Sequence, residues 1–389
     1  MCMVDSKNKK YVIELLLYRP RVYSALDRLM VNMCSIANSY GLQIVCVYSG
    51  DVVEQPTIRT DIESAGGILE LVSESEKKMI VDIFRLYSKY HPYAVHLHFR
   101  MHLWFYTSLL SKIFQSKHFT HVHSLLGDEK RLYVKNTRLY KRIIIGLYLC
   151  LVGKMSIKVL ATSKAVGQTW RDRAYGTCSN LHHIYTGVPL HTPKYTKHEA
   201  RKLLNLPNDA IILANVSAID PVKGLDTAIK AMQILKQKGR NFLFVHVGGI
   251  RLEDLKSKEY ANYLLSLAIE YKVNDNVIWL GRKNNIQDII SFADIYIHPS
   301  RSEGLGASIM EASTASIPLI GSNVGGIPEV IQDKYNGVIV PAEDPDALAN
   351  SIIDVFDHHI DTYGSNAKKI VYEKFDQDKQ AHEFIKLYL

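Results

Sequence analysis

Short apolar runs rich in β-branched residues alternate with stretches of helical periodicity along the whole chain, and that alternation limits the available folds more than any other feature. The runs "YVIELLLY", "QIVCVYS", "ILELV", "YAVHLH", "HFTHVH" and "IKVLATS" each read as a buried strand, with helical patterns between them. After a polar connector around "PKYTKHEARKLLNLPND" the series starts again with "AIILANVS", "NFLFVHVG", "NVIWLG", "DIYIHP" and "IPLIGS". Strands alternating with helices predict parallel sheets covered on both faces. A chain of 389 residues exceeds what one hydrophobic core usually holds, so two doubly wound halves are expected. Ligands of such sheets bind beyond the carboxyl ends of the strands, and a cleft between two facing halves is the expected place.

Charge points to the kind of partner. With 47 Lys and Arg against 39 Asp and Glu the net charge is +8, which suits an anionic ligand or surface. The five cysteines (Cys2, Cys34, Cys46, Cys150, Cys178) are scattered and mostly lie in apolar runs, so they read as reduced core thiols. The opening "MCMVDSKNKK" is polar and the apolar run after it is short, so no cleavable signal is read and a cytoplasmic protein is expected.

The stretch "HPSRSEGLGASIME" follows a strand and enters a helix. Gly304 and Gly306 let backbone amides approach a ligand closely, and the start of the helix offers N–H groups of positive dipole character, a setting for phosphate oxygens. Glu303 is placed to accept hydrogen bonds from sugar hydroxyls, and Glu311 to reach a ribose. A plain loop entering a helix, with Glu311 a polar helix residue, is the alternative that the residues alone leave open.

The C-terminal half resembles glycosyltransferase family 4 in several segments that follow the family's order: "NVSAIDPVKGLDTAIKAM", "NVIWLG", "ADIYIHPSRSEGLGASIMEASTASIPLIGSNVGGIPEVI" and "NGVIVPAEDPDALANSI". The seven residues between Glu303 and Glu311 match the family's glutamate pair. The N-terminal half is similar more loosely, through "VHLH", "THVHS", "VLATSKAV" and "IYTGV". The resemblance implies an α/β GT-B fold, two Rossmann-like doubly wound domains facing a central cleft. Residues 1–190 would form the acceptor domain, 205–372 the nucleotide-sugar domain, and 373–389 a last helix crossing back to the first domain. It also implies retaining transfer from a nucleotide-sugar donor, UDP-sugar first and GDP-sugar second, without a metal or other cofactor. The acceptor would be a glycan or lipid-linked glycan of surface polysaccharide assembly.

By the same resemblance Lys223 contacts the donor diphosphate, Glu303 the transferred sugar and Glu311 the ribose, while Gly304, Leu305, Gly306 and Ala307 supply backbone amides. His123 matches the acceptor-domain histidine near the donor sugar; a strand-end histidine satisfied by backbone is its alternative. His98 reads as structural. Two departures matter. Many members carry an arginine five positions before the lysine, and Ala218 stands there, which removes a charge-assisted phosphate contact of about 1.5–3 kcal/mol. The glycine-rich loop usual after the first strand is replaced by "YRPRVYSAL". Arg19, Arg21, Arg282 and Arg301 are the cations that could substitute. The missing arginine and loop also favour a degenerate, glycosyltransferase-like partner subunit as the alternative function.

The two Asp-x-Asp sequences, "DPD" at 344–346 and "DQD" at 376–378, read as structural; Asp344 followed by Pro345 has the pattern of a helix N-cap. From Lys130 to Arg171 there are ten Lys and Arg and no Asp or Glu, flanking an apolar run, Ile143 to Gly153, too short to span a bilayer. Residues 130–158 are therefore a candidate contact with an anionic inner membrane leaflet, a buried helix being the alternative for the apolar run. No zinc spacing or RNA-binding motif accompanies the basic charge, so nucleic acid is not expected, and the absence of G-x-G-x-x-G after the first strand disfavours a nicotinamide cofactor.

Overall fold

The computed structural model describes residues 9–19, 23–50, 56–125, 139–174, 180–190, 192–250, 255–283 and 286–389. They gather into two compact units, one running to Pro189 and taking in Gln377–Leu389, the other Leu190–Asp376.

The first unit is built on β1 (Lys10–Leu15), β2 (Leu42–Ser49), β3 (Ile68–Val72), β4 (Ala94–Leu97), β5 (Lys117–Val122), β6 (Lys158–Ala161) and β7 (Leu181–His183). They form a parallel sheet in the order β3-β2-β1-β4-β5-β6-β7. Alternate residues of each strand serve opposite faces. Ile13, Val45 and Val95 pack with Met79, Ile83, Trp104, Leu149 and Trp170, whereas Val12, Ile44 and Ala94 pack with Met30, Met33, Ile62 and Phe384.

The helix Ala25–Ala37 starts with a reciprocal capping box, in which Ser24 accepts from the Asp27 amide and Asp27 from the Ser24 amide. Its inner face receives the last helix, Gln377–Tyr388, through Ala381, Phe384, Ile385 and Tyr388. The buried side of this last helix ends on Tyr388, and Leu387 is only partly covered. The apolar run of the helix Leu139–Met155 is divided between core and surface. Leu149 and Val152 are fully buried, while Ile144 and Leu147 are 60% and 59% exposed.

The second unit carries β8 (Ile211–Val216), β9 (Phe242–Val247), β10 (Val277–Trp279), β11 (Ile295–His298), β12 (Leu319–Ser322) and β13 (Gly337–Val340), parallel in the order β10-β9-β8-β11-β12-β13. In both sheets the chain builds outward from its first strand and then returns to that strand's other side. The reversal points lie between β1 and β4 and between β8 and β11, where successive loops leave in opposite directions and open a crevice.

Two strands escape the periodicity reading. β7, "LHH", is a three-residue edge strand with both histidines exposed, and β13 starts on Gly337, where a Cβ would meet the Leu319 carbonyl oxygen at 2.1 Å. A short edge and a glycine start both lack the apolar run that marks a central strand.

Candidate active site

The reversal point of the second sheet gathers the C-terminal motifs. Lys223 follows β8 in a short turn, Pro221–Lys223, whose entry is capped by the Asp220 carboxylate accepting from the Val222 amide at 2.9 Å. Gly224 ends the turn at φ 64°, and a Cβ there would meet the Pro299 carbonyl oxygen at 2.0 Å. That close approach brings the turn against the loop that leaves β11. Lys223 Nζ then donates to Glu303 Oε2 at 2.6 Å, and His298 Nε2 donates to the same oxygen at 2.9 Å. Burial opposes ionisation of Glu303, but the Lys223 ammonium and the His298 hydrogen bond hold its carboxyl well below the usual range. Burial also lowers His298, so it sits there as a neutral donor.

Gly306 is left-handed, φ 95°, and forms the N-cap of the helix Ala307–Thr314. The loop backbone is clamped from outside by Gly326, where a Cβ would lie 2.2 Å from the Gly304 carbonyl oxygen. Glu311, in that helix, is buried and accepts from Gln287 Nε2 at 2.9 Å.

The structure also places the arginines. Arg301 is drawn under the Lys223 turn. It forms a two-point ion pair with Asp226 at 2.8 and 2.7 Å, donates to the Pro221 carbonyl at 2.6 Å and pairs with Glu343 at 2.7 Å. A guanidinium so matched by carboxylates braces the Lys223 turn. Arg282 is exposed beyond β10, donates to the Ile250 carbonyl at 2.6 Å and lies over Gly249. In the first unit Arg19 pairs with Glu74 at 2.7 Å. Arg21 lies outside the described residues.

His123 sits just past β5, half-buried, with its ring stacked on Phe99 at 4.6 Å. Its Nε2 lies 2.9 Å from His98 Nδ1, so its alternative as a histidine satisfied by backbone is not what the structure contains. His96, His98 and His121 form a buried trio with nitrogens within 4.8 Å of one another. Both His98 nitrogens are engaged, by Glu14 and His123, so the trio as arranged does not offer three lone pairs to an ion. Asp344 is the N-cap of the helix Pro345–Asp354, accepting from Ala347 at 2.9 Å.

Sequence reading missed His298, Asp226 and Gln287, which hold Glu303, Arg301 and Glu311. A signal existed for the first: a histidine closing the apolar strand "IYIH" must have a partner once buried. It existed for Glu14 too, an acid inside "YVIELLL". Nothing local marks Gln287 or Asp226, whose partners lie 24 and 75 residues away.

Residues 196–371 match the family model described as glycosyl transferases group 1. The chain is 26% identical over 193 residues to the N-acetyl-alpha-D-glucosaminyl L-malate synthase of Bacillus anthracis, a match covering 49% of this chain and 48% of that one. It is 27% identical over 196 residues to a GDP-mannose-dependent phosphatidylinositol monomannoside mannosyltransferase of Mycobacterium tuberculosis, covering 47% of this chain and 48% of the other. The chain thus spans about half the length of the curated relatives it matches. Among solved structures, Anabaena HepE in complex with UDP and glucose is similar at TM-score 0.80 and 16% identity, over 97% of this chain and 99% of that one. At such identity the likeness speaks to the fold, two Rossmann-like units of the GT-B type.

Proposed function

We propose, because residues 196–371 match the family model described as glycosyl transferases group 1, that the protein moves a sugar from a nucleotide-sugar donor, UDP-linked first and GDP-linked second, to a glycan or lipid-linked glycan. The reaction retains anomeric configuration, needs no metal and serves surface polysaccharide assembly. The observation that carries the reading is the Lys223–Glu303 pair beside the Gly304–Gly306 loop at the reversal point of the second sheet.

In this reading the bond from the anomeric carbon to the diphosphate breaks as the bond to the acceptor oxygen forms, and the proton of the acceptor hydroxyl passes to the departing diphosphate. Negative charge grows on the departing phosphate. Lys223, exchanging Glu303 for phosphate, and the amides opening the helix Ala307–Thr314 stabilise that charge without reorganising. Glu303, kept ionised, accepts from sugar hydroxyls, and Glu311 accepts from the ribose. A UDP-bound fold relative and a GDP-mannose-dependent sequence relative both support a nucleoside-diphosphate donor.

An anionic membrane surface is the proposed partner of the first unit, at the inner face of the cell membrane. Among the described residues no helix is long and apolar enough to cross a bilayer. The helices Trp104–Ile113 and Leu139–Met155 contain no acidic residue and expose Phe105, Leu109, Ile113, Ile144, Leu147 and Leu151. Apolar side chains set among lysines suit the boundary of an acidic leaflet.

Calorimetric titration of UDP and GDP, with wild type and Lys223→Ala, tests the donor site. Saturable binding of one nucleotide, weakened at least tenfold by the substitution, is the expected result, since a charge-assisted contact of about 1.5–3 kcal/mol corresponds to one or two decades. Ala218, in place of the family's arginine, favours the degenerate partner subunit as second reading, and absence of binding by either nucleotide to folded protein selects it.

A further inference from the structure

Glu14 is the one acid of β1, fully buried at the reversal point of the first sheet. Its Oε1 accepts from Tyr388 Oη at 2.5 Å, and its Oε2 lies 2.8 Å from His98 Nε2 and 3.1 Å from His96 Nδ1. Burial penalises its charge, but the facing histidines hold the carboxyl well below its ordinary value, so it is ionised and can only accept.

The consequences run along the chain of rings. An acceptor at Oε2 requires the proton of His98 on Nε2. His98 is neutral, lowered to about 4 chiefly by burial, so its Nδ1 carries a lone pair. Nδ1 in turn faces His123 Nε2 at 2.9 Å and can only accept, which places the His123 proton on Nε2. Burial also keeps His123 neutral, and its Nδ1 is therefore bare.

We propose that Glu14 and His98 are positioning residues that fix the tautomer of His123, so that it presents Nδ1 as an acceptor to a substrate hydroxyl. The selectivity follows from charge and direction: a bare nitrogen takes a hydroxyl hydrogen and repels phosphate or carboxylate oxygens. Tyr388, on the last helix, holds the far oxygen of Glu14, so the end of the chain is part of the device. The hydroxyl part of the inference rests on the transferase reading; the tautomer part does not.

The test is long-range proton–nitrogen correlation on histidine-labelled protein, with His123 assigned by the signals lost in His123→Gln. Wild type should show His123 protonated at Nε2 and bare at Nδ1. His98→Asn, which leaves an oxygen near the former Nδ1, should keep that pattern, whereas His98→Leu should give a mixture of tautomers with the fold intact by circular dichroism. Glu14→Gln should mix the tautomers of His98, and it decides the matter if the leucine variant fails to fold. A wild-type His123 protonated at Nδ1, or an unchanged pattern in every folded variant, overturns the proposal. With UDP and UDP-glucose as calorimetric probes, His98→Leu should lose several-fold affinity for UDP-glucose and none for UDP; equal effects on both overturn the hydroxyl assignment. If neither probe binds wild type, the donor reading fails while the tautomer spectra still decide the positioning role.

Discussion

Arg301 and Asp226 form a two-point ion pair at 2.8 and 2.7 Å whose guanidinium also holds the Pro221 carbonyl, one turn from Lys223. The carboxylate is fixed in turn by Tyr260 Oη at 2.7 Å, so the Lys223 turn rests on a closed polar network. Removing one partner leaves a charge with little solvent to compensate it. Arg301→Ala should destabilise the second unit by about 3 kcal/mol, and Asp226→Asn by a comparable amount. Urea unfolding monitored by tryptophan fluorescence reads both, and donor affinity should fall with them because Lys223 loses its support.

Gly224 makes a sharper prediction about geometry. Its left-handed backbone, φ 64°, costs any other residue about 1–2 kcal/mol, and a Cβ would also meet the Pro299 oxygen at 2.0 Å. Gly224→Ala should therefore lose both stability and nucleotide binding, the latter by at least tenfold at temperatures where the variant remains folded. Unchanged nucleotide affinity would show that the turn does not position Lys223.

Acid should weaken the first unit early. His98 and His118 are lowered to about 4 and about 3, chiefly by burial, and burial also holds His121 and His123 well below the ordinary histidine value. A histidine whose folded value lies below its unfolded value of about 6.5 contributes stability present above that value and lost as pH falls beneath it, because only the unfolded chain takes the proton. Each such group gives a slope of up to about 1.4 kcal/mol per pH unit. Thermal unfolding at pH 7.5 and 5.5 should show a lower transition at the acidic value, and His118→Asn should reduce the difference.

Membrane attachment is tested with vesicles. Sedimentation with liposomes containing phosphatidylglycerol should carry the protein down, pure phosphatidylcholine should not, and salt should weaken the effect. Ile144→Ser with Leu147→Ser, at positions 60% and 59% exposed, should reduce binding several-fold without moving the melting temperature. Binding indifferent to lipid charge sinks the anionic-surface reading.

A chelator provides the last check. Asp344 is used as a helix cap, and Asp378 lies within hydrogen-bonding distance of Asn32 at 2.5 Å. Nucleotide binding measured with and without EDTA should agree; loss of binding would contradict metal independence.

Whatever rests on local pattern was legible in the order of the residues alone. Apolar runs of β-branched residues located eleven strands, because a buried strand must be apolar over its own few residues. The glycine loop and glutamate pair pointed to a candidate site for a donor, because close approach and helix-end geometry are written in adjacent residues. The tertiary structure alone decided which charges face which. Arg301 had every local mark of a free cation, yet Asp226, 75 residues away, claims it. His98 looked structural and His123 stood alone, until Glu14 and Tyr388 joined them from positions 374 residues apart. Hydrogen bonds and ion pairs depend on distances of about 3 Å, and only folding brings such distant side chains that close.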